Sequence, residues 1–132
     1  MDNDCDTVAD GPMVMVPGTV LSDLPPESSY TILSSSIWTG SEFAVAWSVD
    51  PREHDAPLSP GKIFFARIGP DGERLSENVE IDYPPTHEDD EPGSVALAWT
   101  GSEYGLAWTV EWHNLDIDDS WMYWRRLSAT GD

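Results

Sequence analysis

Between Glu111 and Trp121 the chain gathers three aspartates, a histidine and two tryptophans: Trp112, His113, Asp116, Asp118, Asp119 and Trp121. Exposed indole faces stack on the apolar faces of a sugar ring, and carboxylates accept hydrogen bonds from its hydroxyls. Trp112 and Trp121 beside Asp116, Asp118 and Asp119 would therefore suit a carbohydrate. The alternative assignment for the two tryptophans is a contact between sheets or between chains. The run Asp116-Ile117-Asp118-Asp119 also offers the carboxylate oxygens that Ca²⁺ prefers, but it lacks the glycine and the terminal glutamate of an EF-hand loop. Glu88-Asp89-Asp90-Glu91 is a denser run of the same kind, and solvated acidic loops account for both. The expectation is no bound cofactor, with Ca²⁺ kept as an alternative at Asp116, Asp118 and Asp119.

His113-Asn114 aligns with His54-Asp55 when two long loops are matched from their C-terminal ends. Neither histidine has a neighbour at metal-ligand spacing, and His87 stands alone. The sequence holds no Gly-x-Ser-x-Gly, no His-Glu-x-x-His and no phosphate-cradling glycine loop. Paired carboxylates can hydrolyse a glycoside, but among 25 acidic residues a pair carries no specificity. No catalytic residue is assigned, and a non-enzymatic role is expected.

The elements that position these residues follow from an internal repeat. Ile37-Trp38-Thr39-Gly40-Ser41-Glu42-Phe43-Ala44-Val45-Ala46-Trp47 returns 61 residues later as Ala98-Trp99-Thr100-Gly101-Ser102-Glu103-Tyr104-Gly105-Leu106-Ala107-Trp108. Gly40-Ser41 and Gly101-Ser102 read as tight hairpin turns, with glycine where positive φ is required. Phe43, Val45, Trp47 and Val49 alternate with small residues, as do Tyr104, Leu106, Trp108 and Val110. Period two means strands with a bulky face and a small face. Trp38, Trp47, Trp99 and Trp108 are expected to pack between sheets, the alternative being sugar stacking.

Further strands are expected at 13–16, 63–68, 79–82 and 122–127. Loops are expected at 17–29, 50–61, 83–93 and 111–120, and a polar tail at 1–12. Four short antiparallel strands per repeat make a propeller blade. The expected fold is all-β: two four-stranded antiparallel propeller blades, the first at 30–83 and the second at 94–132. The second has three strands of its own, and its fourth is expected from 13–16 of the same or another chain. Two blades leave outer faces uncovered, so oligomerisation or further blades would complete the ring.

Composition narrows the partners. Against 25 acidic residues stand 6 basic ones, a net charge of −19. Such a chain repels nucleic acid and anionic membrane surfaces. No apolar run reaches the ~18 residues of a membrane span, and no signal-peptide pattern is visible in the polar start Met1-Asp2-Asn3-Asp4, which would fit a start placed after a removed leader. Seven tryptophans argue for a folded core. Cys5 is alone and leaves the redox compartment open.

The pattern Trp-Thr-Gly-Ser-Glu-Tyr-Gly-x-Ala-Trp, followed by Ile-x-Phe-Ala-Arg-Ile-x-x-Asp-Gly, resembles propeller-type repeats of large bacterial secreted proteins and lipoproteins. The resemblance covers residues 37–52, 63–74, 98–108 and 122–131, roughly half the chain. Asp50 and Arg52 fit the Asp-x-Arg that follows the second strand in such repeats. The second copy departs from it with Glu111-Trp112-His113-Asn114, and carries Trp124-Arg125-Arg126 in place of Phe65-Ala66-Arg67. The resemblance implies a propeller fold and an extracellular or cell-envelope setting, and no activity. In strand plan alone the chain resembles two-blade lectins that assemble into sugar-binding propellers. The expected function is a non-catalytic binding or assembly module. It would be homo-oligomeric, with a carbohydrate or protein ligand, no nucleic acid and no membrane insertion. A purely structural segment is the second reading, and part of a glycoside-processing enzyme the third.

Overall fold

The computed structural model describes residues 18, 21, 30–50, 61–84, 90–113 and 118–132, with the backbone alone at 30–34, 50, 113 and 118. Among these residues the fold is all-β, without helix. Four strands form the first sheet: β1 (Tyr30–Trp38), β2 (Phe43–Asp50), β3 (Lys62–Ile68) and β4 (Val79–Ile81). Three form the second: β5 (Glu91–Trp99), β6 (Glu103–His113) and β7 (Asp118–Ser128). Both sheets are antiparallel with neighbours in chain order, and neither closes into a barrel. The expected tail at 1–12 and strand at 13–16 lie outside the described residues, as do Cys5, His54, His87 and Asp116.

The repeat is written into the strand register. Tyr30↔Asp50, Ser34↔Trp47 and Trp38↔Phe43 in the first sheet return as Glu91↔Glu111, Val95↔Trp108 and Trp99↔Tyr104 in the second. Each first strand also slips register at the same place, between Thr31 and Ser34 and between Pro92 and Val95. The outer hairpins agree as well: Ala46↔Phe65 matches Ala107↔Trp124, and Val49↔Lys62 matches Val110↔Trp121.

Two boundaries differ from the sequence expectation. β5 starts at Glu91, through Pro92 and Gly93, where a connection to residue 93 is expected. Pro92 is tolerated because β5 is an edge strand and the slip lies directly beside it, so the missing N–H interrupts little. The loop expected at 111–120 is mostly strand, since β6 and β7 stay paired out to His113↔Asp118. Acidic residues disguise this extension, but Val110, Trp112, Asp119 and Trp121 continue the period-two pattern with β-prone tryptophans.

Both hairpin turns are built the same way. Thr39 N–H donates to the Glu42 carbonyl at 2.9 Å, and the Thr39 hydroxyl donates to the same carbonyl at 3.0 Å while accepting from Glu42 N–H at 3.2 Å. Thr100 repeats these three bonds with Glu103 at 3.0, 3.1 and 3.1 Å. Gly40 and Gly101 take φ of 106° and 101°, in the left-handed region that costs other residues about 1–2 kcal/mol.

The sheets stack with unlike faces together. Ala44, Ala46, Ile63 and Phe65 of the first sheet and Tyr104, Leu106, Trp108, Val110 and Leu127 of the second form one buried core. Phe65 meets Tyr104 edge-on, with ring centroids 5.1 Å apart. A link across the sheets runs from Leu97 N–H to the Ser35 hydroxyl at 3.1 Å.

Gly131 marks how close this approach is. Its φ is 94°, and a Cβ there would lie 2.7 Å from the Phe65 ring. Gly101 has open space around the same atom. In urea unfolding, Gly101→Ala is expected to lose about 1 kcal/mol through backbone strain alone. Gly131→Ala is expected to lose clearly more, because it also forces the Phe65 ring aside.

Candidate functional site

The tryptophans singled out in the sequence meet on the second sheet. Trp112 lies opposite Asp119, and Trp121 lies opposite Val110. Successive strand residues alternate faces. Trp108, Val110 and Trp112 on β6 therefore share a face with Asp119, Trp121 and Tyr123 on β7. The inner part of this face is core: Trp108 is 3% exposed and Val110 is fully buried. Its outer end is not, since Trp112 and Trp121 are half-buried and Asp119 is exposed. The result is a continuous aromatic strip that runs out of the core and ends beside a carboxylate.

Tyr123 and Trp108 stack at 5.6 Å with an interplanar angle of 14°, and Tyr83 closes on both at 5.7 and 6.0 Å. The Tyr83 hydroxyl donates to the Gly61 carbonyl at 2.7 Å. Burial pushes the Tyr83 phenol up to about 12, and the negative charge of Asp90 acts in the same direction, as does Tyr123. Among the described residues the buried Trp108 indole N–H meets no hydrogen-bond partner, and neither does that of Trp47 at the equivalent place in the first sheet.

Of the other sequence candidates, His113 and Asp118 form the last rung of the β6–β7 ladder. The repeated residues divide by depth. Trp47 and Trp108 are both 3% exposed. Trp38 packs on Phe43 at 4.7 Å and Trp99 on Tyr104 at 4.5 Å, beside the glycine turns. Trp99 is packed against the core, whereas Trp38 is 46% exposed. Among the described residues no group of three or more His, Cys, Asp or Glu is placed to hold a metal ion. Among the same residues no helix is long and apolar enough to cross a membrane.

A polar clasp between the sheets was not singled out from the sequence. Arg67 on β3 donates to Glu42 through Nε at 2.6 Å and through a terminal nitrogen at 2.7 Å, a two-pronged pair. The Tyr104 hydroxyl of the second sheet donates to the same carboxylate at 3.0 Å. The pair is largely enclosed, with side chains 22% and 12% exposed. The Arg67 hydrogen bonds hold Glu42 below the usual carboxylate range against the opposing effect of burial. Glu42 in turn raises Arg67. Burial first, and the hydrogen bond to Glu42 second, push Tyr104 up to about 12. The signal in the sequence is the glutamate that both Thr-Gly-Ser-Glu turns share, with an arginine at 67 and at 126. Glu103 and Arg126 do pair at the equivalent place, at 3.5 Å, but remain exposed.

Compared with protein-family models, with curated proteins and with solved structures, the chain matches none.

The clasp gives stability a pH dependence. Glu42 has a folded pKa below its unfolded one, so its contribution is present above the ordinary carboxylate range. It is lost as pH falls through the lower folded value. Tyr104 has a folded pKa above its ordinary 10, so its contribution is present below pH 10 and lost as pH rises through about 12. Glu42→Gln is expected to cost roughly 2 kcal/mol at neutral pH and to flatten the acid limb of the stability profile, read from urea midpoints.

Proposed function

We propose that this chain is a non-catalytic binding and assembly module built from propeller-type blades, with a carbohydrate-binding strip at the far end of the second blade. The observation that carries the reading is the register of β6 and β7, which places Trp112 and Trp121 on one face with Asp119 opposite Trp112. Sugar C–H faces would lie on the indoles, and ring hydroxyls would donate to the Asp119 carboxylate. His113 and Asp118 form the last rung of the same ladder, and with Asp116, which lies between them in sequence, they would contribute to selectivity.

The comparison within the molecule supports this choice. Trp121 takes the register position that Lys62 holds in the first sheet, where Lys62 makes an exposed ion pair with Glu80 at 2.9 Å. A charged side chain satisfies the scaffold there, so the fold itself does not demand tryptophan. The proposal includes an extracellular or cell-envelope setting, in keeping with the repeat pattern. A net charge of −19 makes nucleic acid an unfavourable partner.

The second reading is a purely structural segment that assembles with itself or with a partner protein. It is favoured by the continuity of the strip with the inter-sheet core through Trp108 and Tyr123. Glycan-array binding followed by calorimetry separates the two. Glycan binding that weakens at least tenfold in Trp121→Ala, with the fold retained, supports the carbohydrate reading. Binding unaffected by Trp121→Ala, or none at all, removes it. Repeating the titration with a chelator separates direct contact from contact bridged by Ca²⁺ at Asp116, Asp118 and Asp119.

A further inference from the structure

The first sheet carries an open cleft of about 530 Å³ on the face turned away from the second sheet, lined by Phe43, Val45, Ile68 and Gly72 and also by Gly18 and Leu21 from the N-terminal part of the chain. The register identifies what this cleft is. Phe43 is the counterpart of Tyr104, and Ile68 of Leu127. Gly72 is the counterpart of Gly131: each has positive φ, and each N–H donates at 3.0 Å to the residue three before it. Within the chain, Tyr104 and Gly131 make the socket that holds the fully buried ring of Phe65. The cleft corresponds to that socket on the outer face of the other repeat, with Gly18 and Leu21 added to its lining.

The matching knob is present too. Trp124 stands at the register position of Phe65, on the free face of the second sheet, and is 64% exposed. Small residues lie across from it, Ala107 in register and Gly105 beside its indole nitrogen. Arg126 shares the face of Trp124 and is paired with Glu103 at 3.5 Å, and docking brings it near Asp71 at the rim of the cleft. We propose that copies of this chain associate head to tail, Trp124 of one entering the cleft at Phe43, Ile68 and Gly72 of the next. This rests on reading the two sheets as repeats of one stacking unit, and it extends the established sheet-to-sheet contact rather than adding a new kind.

The contact is weaker than the one inside the chain on two counts. Docking sets Phe43 over the Glu103–Arg126 pair as Tyr104 sits on Glu42–Arg67, but Phe43 has no hydroxyl to donate. The deeper half of the same face, at Trp47 and Val49, is already buried with Leu21 and Phe64 against it. The cleft lies at the turn end of this face.

Sedimentation velocity on the full chain, from about 1 µM to about 1 mM, reads the association. The wild type is expected to increase in mass with concentration, and Trp124→Ala and Phe43→Glu each to stay monomeric. Pro70→Arg, at an exposed turn position, blocks the cleft without touching the core. Mixing Trp124→Ala with either cleft variant is expected to give a one-to-one dimer and nothing larger, since one knob and one socket survive. Phe43→Tyr is expected to tighten association about tenfold by restoring the missing hydrogen bond to a carboxylate. A wild type that is monomeric throughout overturns the proposal, as does a Trp124→Ala that associates like wild type, a mixture that stays monomeric, or a Phe43→Tyr that tightens nothing. A monomeric chain that still binds glycan through Trp121 overturns this association and leaves the binding reading standing.

Discussion

A strand pair with alanine on one face and tryptophan on the other can be stacked closely in only one order, small face against large. That asymmetry is the constraint on which the molecule depends. Ala44 and Ala46 are fully buried because they leave room for Tyr104, Leu106 and Trp108 to approach. Apolar packing of this kind is non-directional, and alone it would let the sheets slide. The Glu42–Arg67–Tyr104 clasp supplies direction, because a two-pronged guanidinium–carboxylate pair with a third hydroxyl on it has one good geometry. The clasp sits where the glycine turn of the first sheet meets the second, so the turn, the pair and the stacking fix one another.

Much of this was legible in the sequence because two independent periodicities coincide there. The two-residue alternation marks the strands, and the 61-residue recurrence marks the sheets, so even the paired register slips at Pro92 and Thr31 fall at matching places. Glycine at 40 and 101 announces its own backbone conformation. What stayed hidden is what alternation does not encode. The strand continuation through Trp112, Asp119 and Trp121 was masked by acidic residues that are indifferent to strand or loop. The clasp joins residues 25 and 62 positions apart in the chain, and no local spacing brings an arginine, a glutamate and a tyrosine into one cluster. Their types gave only a hint, the shared glutamate of the two turns.

The repeat also shows where the two units have diverged. At the far end the first sheet carries the Lys62–Glu80 pair and the second the Trp121 and Trp112 side chains. At the near end the first sheet has Phe43 where the second has Tyr104. The same scaffold thus offers an aromatic strip at one hairpin end and a socket at the other repeat's turn. Those are the differences a binding and assembly role would draw on.

The claim that most needs a direct test is that the clasp couples the two sheets. A double-mutant cycle on Glu42→Gln and Tyr104→Phe, measured by urea unfolding at neutral pH, isolates the energy shared by the two side chains. A coupling of about 1 kcal/mol or more between them is expected. Additivity to within about 0.3 kcal/mol would mean that the tyrosine and the carboxylate do not meet, and that the sheets are not stacked as described.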